Sequence, residues 1–194
     1  MLVQLRKETT MKKISAILLA IMMLLALCLT ACGGEEDDTP EGMKRVSDPG
    51  LVGYSLYVPT AWISDLNSGV VSAYHSLTDA SSIVMNQWNI TADVTTVEEW
   101  WAQYTPAFSA TFSDFALESE EECYLDGVKA RKYVYTAKMP TGAGEDLMET
   151  FRFMQVATVR RGMIYVFTYT STADVYESNL TDVQSILDNF KFSK

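Results

Sequence analysis

The chain has 194 residues, 48% of them hydrophobic, with one histidine, three cysteines and a formal net charge of −10 at neutral pH. That length suits one domain able to bury its own core. The negative balance argues against nucleic acid or an anionic lipid surface as a partner held by charge, and a single histidine rules out a histidine-rich zinc site.

Met11-Lys12-Lys13 is a basic cluster, and residues 14–29 behind it carry no charge. The run is shorter than the roughly 20 apolar residues that a bilayer-spanning helix needs, and the acidic Glu35 to Asp38 follow it where a stop-transfer cluster would be basic. Residues 1–31 therefore read as a signal peptide, with Met11 as its start. Leu29-Thr30-Ala31-Cys32 resembles the lipobox of bacterial lipoproteins: small Ala31 permits cleavage before Cys32, whose thiol then carries a diacylglycerol. Beyond that covalent lipid, no cofactor and no metal site is expected. Cleavage leaves 11 basic and 24 acidic side chains after Cys32, a net charge of −13. Cys123 is then the only other cysteine, a small hydrophobe more readily than a reactive thiol. Residues 32–42 form an acidic tether of roughly 15 to 20 Å reach, a calcium loop being the weaker alternative for want of a closing cage.

Residues 43–194 form the folded domain. Residues 51–58 alternate with apolar side chains on both faces and read as a covered strand ended by Pro59; residues 69–76 and 82–90 read as two strands pairing antiparallel. The period then changes. Thr95 and Thr96 stand three residues before Glu98 and Glu99, a doubled capping box, and Val97, Trp101, Tyr104, Phe108, Phe112 and Phe115 recur at helical spacing. Pro106 predicts a kink or a fresh start there, with Thr105 as N-cap.

Asp126-Gly127 suits a type I′ turn that sets Glu122 opposite Arg131 and Glu121 opposite Lys132. Glu118, Glu120 and Glu122 are expected on one face, as an exposed ladder facing basic residues rather than as catalytic carboxylates. A second hairpin turns at Arg161-Gly162, with Val159 beside Ile164 and Val156 beside Phe167. The glycines of residues 141–146 follow no phosphate-binding pattern. A last helix over 173–190 carries the stripe Tyr176, Leu180, Val183, Leu187 and Phe190.

These elements make an α+β fold, an antiparallel β-sheet flanked by helices. Gly53 to Pro59 followed by Trp62, then Asp126-Gly127-Val128-Lys129-Ala130, and the closing Ile186 to Phe192 resemble the PsbP family and its bacterial DcrB-like relatives. The resemblance implies an α/β/α sandwich and a mostly non-enzymatic style of function: extrinsic photosystem subunits, a Ran-binding import factor, bacterial surface lipoproteins. It places no functional residue on this chain.

The reading is thus a membrane-anchored extracytoplasmic lipoprotein of the cell envelope, a binding or assembly module for an envelope protein or ligand. An envelope hydrolase using paired carboxylates, or a structural or stress-related envelope protein, is the alternative. Any Ser-His-Asp site would have to use His75, with no nucleophile-elbow motif to support it. Trp100 is the candidate binding residue: with Trp101 in the apolar stripe, its neighbour falls about 100° away. It then forms either an exposed aromatic patch or a ring covered by a loop or turned inward at Pro106.

Overall fold

The computed structural model describes residues 38–65, 70–141 and 147–194. The signal segment, Ala31 and Cys32 lie outside them, as do most of the tether and the glycines of the 141–146 loop.

A seven-stranded antiparallel sheet organises the domain. Its strands are β4 (Ile63–Asp65), β5 (Val71–Tyr74), β6 (Ser82–Asn89), β7 (Ser113–Leu125), β8 (Val128–Pro140), β9 (Met148–Arg160) and β10 (Met163–Thr172). Across the sheet they run β4-β5-β6-β10-β9-β8-β7. β8, β9 and the adjoining part of β10 bury apolar residues on both faces, so the sheet needs a layer on both sides there. On one face lies α2 (Val97–Thr111). On the other lie a 3₁₀ turn (Tyr176–Asn179), α3 (Leu180–Asn189) and the N-terminal segment: β1 (Met43–Arg45), α1 (Pro49–Val52), β2 (Tyr54–Ser55) and β3 (Tyr57–Pro59). β1 pairs with β3, and β2 with β11 (Lys191–Phe192). The α3 face holds the larger core, with Tyr54, Leu56, Trp62, Phe167, Ile186 and Phe190 buried. Trp62 donates its indole N–H to Asp182 at 2.8 Å and so ties this core to the first turn of α3.

Both hairpins have the expected registers. Asp126 and Gly127 take φ of 46° and 74°, as a type I′ turn requires, and Glu122 pairs with Arg131 and Glu121 with Lys132. Around Arg161-Gly162, Val159 meets Ile164 and Val156 meets Phe167. β5 and β6 pair antiparallel.

Three expectations are corrected. Residues 51–58 are not one strand: the Asp48 carboxylate accepts from the Gly50 N–H and starts a helical turn at Pro49, which leaves Leu51 82% exposed and ends at Gly53 with φ of 76°. The chain then splits between two small sheets. Pro106 does not restart α2; one helix passes through it, and the Thr105 hydroxyl donates back to the Trp101 carbonyl at 2.8 Å instead of capping. The aromatic stripe outlasts the helix, which ends before Phe112, and β7 begins at Ser113 with Asp114 at φ of 54°. Phe112 and Phe115 still pack into the α2-side core, from a cap and from a strand.

Candidate binding surface

The start of α2 is fixed by its cap. Thr96 Oγ1 accepts from the Glu99 N–H at 3.1 Å, while Glu99 accepts from the backbone N–H of Thr95 at 2.7 Å and of Thr96 at 3.0 Å. Glu98, one residue earlier, accepts from Arg131 Nε on β8 at 2.9 Å. This hydrogen bond holds the Glu98 carboxyl below the ordinary glutamate range. Cap and ion pair together set the helix against the sheet, so the directions of its two tryptophans follow. Trp101 lies flat on Tyr133, centroids 3.9 Å apart and 6° between planes. Trp100, about 100° away round the helix, meets Trp88 of β6.

Trp100 is not an exposed patch. It is 9% exposed, because its ring is held between Tyr104, stacked at 5.0 Å, and Trp88 of β6, stacked at 6.2 Å. Neither the glycine loop nor a turn at Pro106 is needed to account for this. The exposed indole is Trp88, at 45%, a residue that sequence reasoning passed over as one more strand aromatic. Its signal was the alternation of β6, in which Ser82, Val84, Asn86 and Trp88 share one mainly polar face while Ile83 and Met85 face the α3-side core.

That face continues over the half of the sheet beside α2. By register, Thr168 and Thr170 of β10 and Ser72 and Tyr74 of β5 lie with Ser82 and Val84. At its inner margin Gln155, 3% exposed, donates from Nε2 to Tyr104 Oη and to Thr168 Oγ1, both at 3.3 Å, and its Oε1 meets no donor of the protein. Tyr104 and Tyr135 share a hydrogen bond of 3.0 Å between hydroxyls. Burial raises the pKa of both phenols, so they stay neutral. At the outer edge Tyr74 Oη donates to Asp65 Oδ2 at 3.4 Å.

The remaining candidates do other things. His75 Nδ1 lies 3.0 Å from Asp79 Oδ2 but makes no hydrogen bond to it, so the pair lacks the bond that orients the imidazole in a His-Asp dyad. Ser81 and Ser171 beside it are wholly buried, bonded to each other at 2.8 Å, and Ser81 also accepts from Asn179 at 2.9 Å. The glutamates of β7 are ion-paired. Glu122 holds Lys129 at 2.7 Å, Glu121 holds Lys132, and Glu120 lies 3.6 Å from Arg131. Glu118 leaves the expected shared face, since an irregularity between Leu117 and Ser119 shifts the register and it meets Arg152 at 2.7 Å. Burial pushes the Cys123 thiol up, and the residue packs on the α3-side core.

Two hollows flank the helices. One of about 290 Å³ lies at the start of α2 beside Lys129 and Arg131, and one of about 590 Å³ lies along α3 beside Lys132. Their cations already have carboxylate partners. Among the described residues, no three His, Cys, Asp or Glu side chains gather as metal ligands would, and no helix is long and apolar enough to cross a membrane.

Sheet, flanking helices and strand order define a PsbP-like α+β fold. Among solved structures, the chain is similar to PsbP (CyanoP) of Synechocystis sp. PCC 6803, at 19% identity and a TM-score of 0.58 over 84% of this chain and 97% of that one. It is similar also to the Ran-binding protein Mog1p of Saccharomyces cerevisiae, at 12% identity and a TM-score of 0.53 over 77% and 95%. LpqN of Mycobacterium tuberculosis, involved in cell envelope biogenesis, shares 15% identity with a TM-score of 0.50 over 78% and 91%. No family model and no curated protein matches the sequence. Identities this low carry the fold and leave the function to the residues.

Proposed function

We propose that the protein is a non-enzymatic binding module, tethered to the outer side of the cell membrane through lipid on Cys32, which holds an envelope ligand on the α2 side of its sheet. The lipobox-like Ala31-Cys32 junction supports the anchor. Similarity of fold to a Ran-binding protein and to a protein of envelope biogenesis supports binding rather than catalysis. The observation that carries the reading is Trp88: a half-exposed indole backed by the stacked rings of Trp100 and Tyr104. Water tolerates such a surface poorly, and tryptophan is enriched among residues that dominate binding. Because the ring is already immobilised, little side-chain freedom remains to be lost when a ligand arrives.

Two variants test the reading. Trp88→Ala should reduce co-sedimentation with isolated envelope fragments at least tenfold, with at most a small fall in melting temperature because Trp100 loses one of its two covers, while Tyr124→Ala, at a 74% exposed position on β7, should change neither. Equal sedimentation of protein and Trp88→Ala would contradict it. Cys32→Ser should transfer the protein from the detergent phase to the aqueous phase; retention in detergent would remove the anchor.

A further inference from the structure

We infer that the ligand of this surface is a neutral oligosaccharide laid along β6 from Trp88 toward Tyr74, an inference that rests on the binding-module reading above. Trp88 and Ser82 are six residues apart on one strand, and Tyr74 pairs with Ser82, so the two exposed aromatics stand roughly 20 Å apart on one face. An extended chain of several sugar rings spans that distance, whereas a single small molecule does not.

The chemistry between the two rings selects the ligand. Between the rings the face presents Ser82, Val84, Asn86, Thr168 and Thr170 to solvent, while Val166 opposite Asn86 and Ile164 opposite Trp88 are buried in the α2-side core. Gln155 borders it beneath the surface, where its Nε2 donates to Thr168 Oγ1 and Tyr104 Oη and so helps to fix the hydroxyl of Thr168 on this face. A pyranose offers the matching surfaces: an apolar C–H face that lies on an indole, and a rim of hydroxyls that both donate and accept.

Competing ligand classes fit less well. In a chain with 15 basic and 25 acidic side chains, none of the described side chains lying between Tyr74 and Trp88 on this face is charged, and the carboxylate of Asp65 stands at its β4 edge. A nucleic acid or an acidic polymer would find aromatic rings but no cation for its charge. An acyl chain would need a continuous apolar groove, which the alternation of Ser82, Val84 and Asn86 interrupts.

The full-length protein, in a detergent without a sugar headgroup, is titrated with cellohexaose, with the N-acetylglucosamine hexamer and with the galacturonate hexamer as anionic counterpart, followed by tryptophan emission and calorimetry. A neutral hexamer should bind saturably with a blue shift, at least tenfold tighter than its dimer. Trp88→Ala should weaken binding at least tenfold, Tyr74→Ala about threefold, and the anionic hexamer should bind worst. Tighter binding of the anionic hexamer, undiminished binding by Trp88→Ala, or no binding of either neutral hexamer would overturn the assignment. If the neutral sugars fail while Trp88→Ala still loses envelope sedimentation, the ligand class falls and the binding module stands. If Trp88→Ala changes neither assay, both fall.

Discussion

Asp79 sets one side of the residue-scale account. Burial, the largest single influence on its carboxyl, pushes the pKa up, but hydrogen bonds from Ser81 and Asn179 and the neighbouring His75 outweigh it, and the net shift is downward from 3.8. A carboxyl whose folded value lies below its unfolded one stabilises the fold above the unfolded value and loses that contribution as the pH falls through the folded one. The stability gap between the protein and Asp79→Asn should therefore be present at pH 6 and close progressively below pH 3.8 in urea melts. A gap of unchanged size at pH 2 would show that the side chain acts through shape alone. Arg131 sets the other side. Its side chain, 27% exposed, joins Glu98 of α2 at 2.9 Å and lies 3.6 Å from Glu120, and pairs that water still reaches contribute little. Arg131→Ala should therefore lower the denaturant midpoint only slightly, whereas a large loss would mark a desolvated pair. The cross-strand register of Arg131 was legible because Asp126-Gly127 fixes it. Its main partner was not, because Glu98 arrives from a helix 33 positions away, and nothing in local spacing brings the two together.

At the scale of elements, α2 was readable at one end only. The Thr96 and Glu99 pattern marks its start, and the reciprocal bonds of the capping box form there. Thr96→Ala should lower stability by about 1 kcal/mol, measured by denaturant midpoint, and a loss near zero would mean that water replaces the cap at no cost. Its other end was hidden, because Phe112 and Phe115 keep the helical spacing while serving the same core from a cap and a strand. Periodicity reports what is buried, and two kinds of backbone bury residues into one cluster. The fresh start at Pro106 does not occur, for a related reason. The stack of Trp101 on Tyr133 and the hydroxyl bond of Tyr104 to Tyr135 before it, and the ring contacts of Phe108 with Tyr135 and Phe153 after it, hold both halves of α2 on the sheet, and that packing outweighs one missing hydrogen bond. Residues 51–58 misled in the opposite direction, since a strand-like alternation there contains the capped turn begun by Asp48 and Pro49.

For the whole molecule, the sandwich was legible because its long strands carry apolar residues on both faces and so demand a layer on each side. The proposed binding surface was legible only as a question about Trp100. Which tryptophan covers and which is covered depends on where α2 crosses the sheet, a long-range result that no window of sequence contains. The account assigns the α2 side to ligand and the α3 side to the larger core. Amide hydrogen exchange with and without envelope fragments tests that assignment most directly. Protection should rise in β6, the adjoining part of β10 and the first half of α2, with β7 and α3 unchanged. Protection confined to β7 or α3, with none in β6, would contradict it.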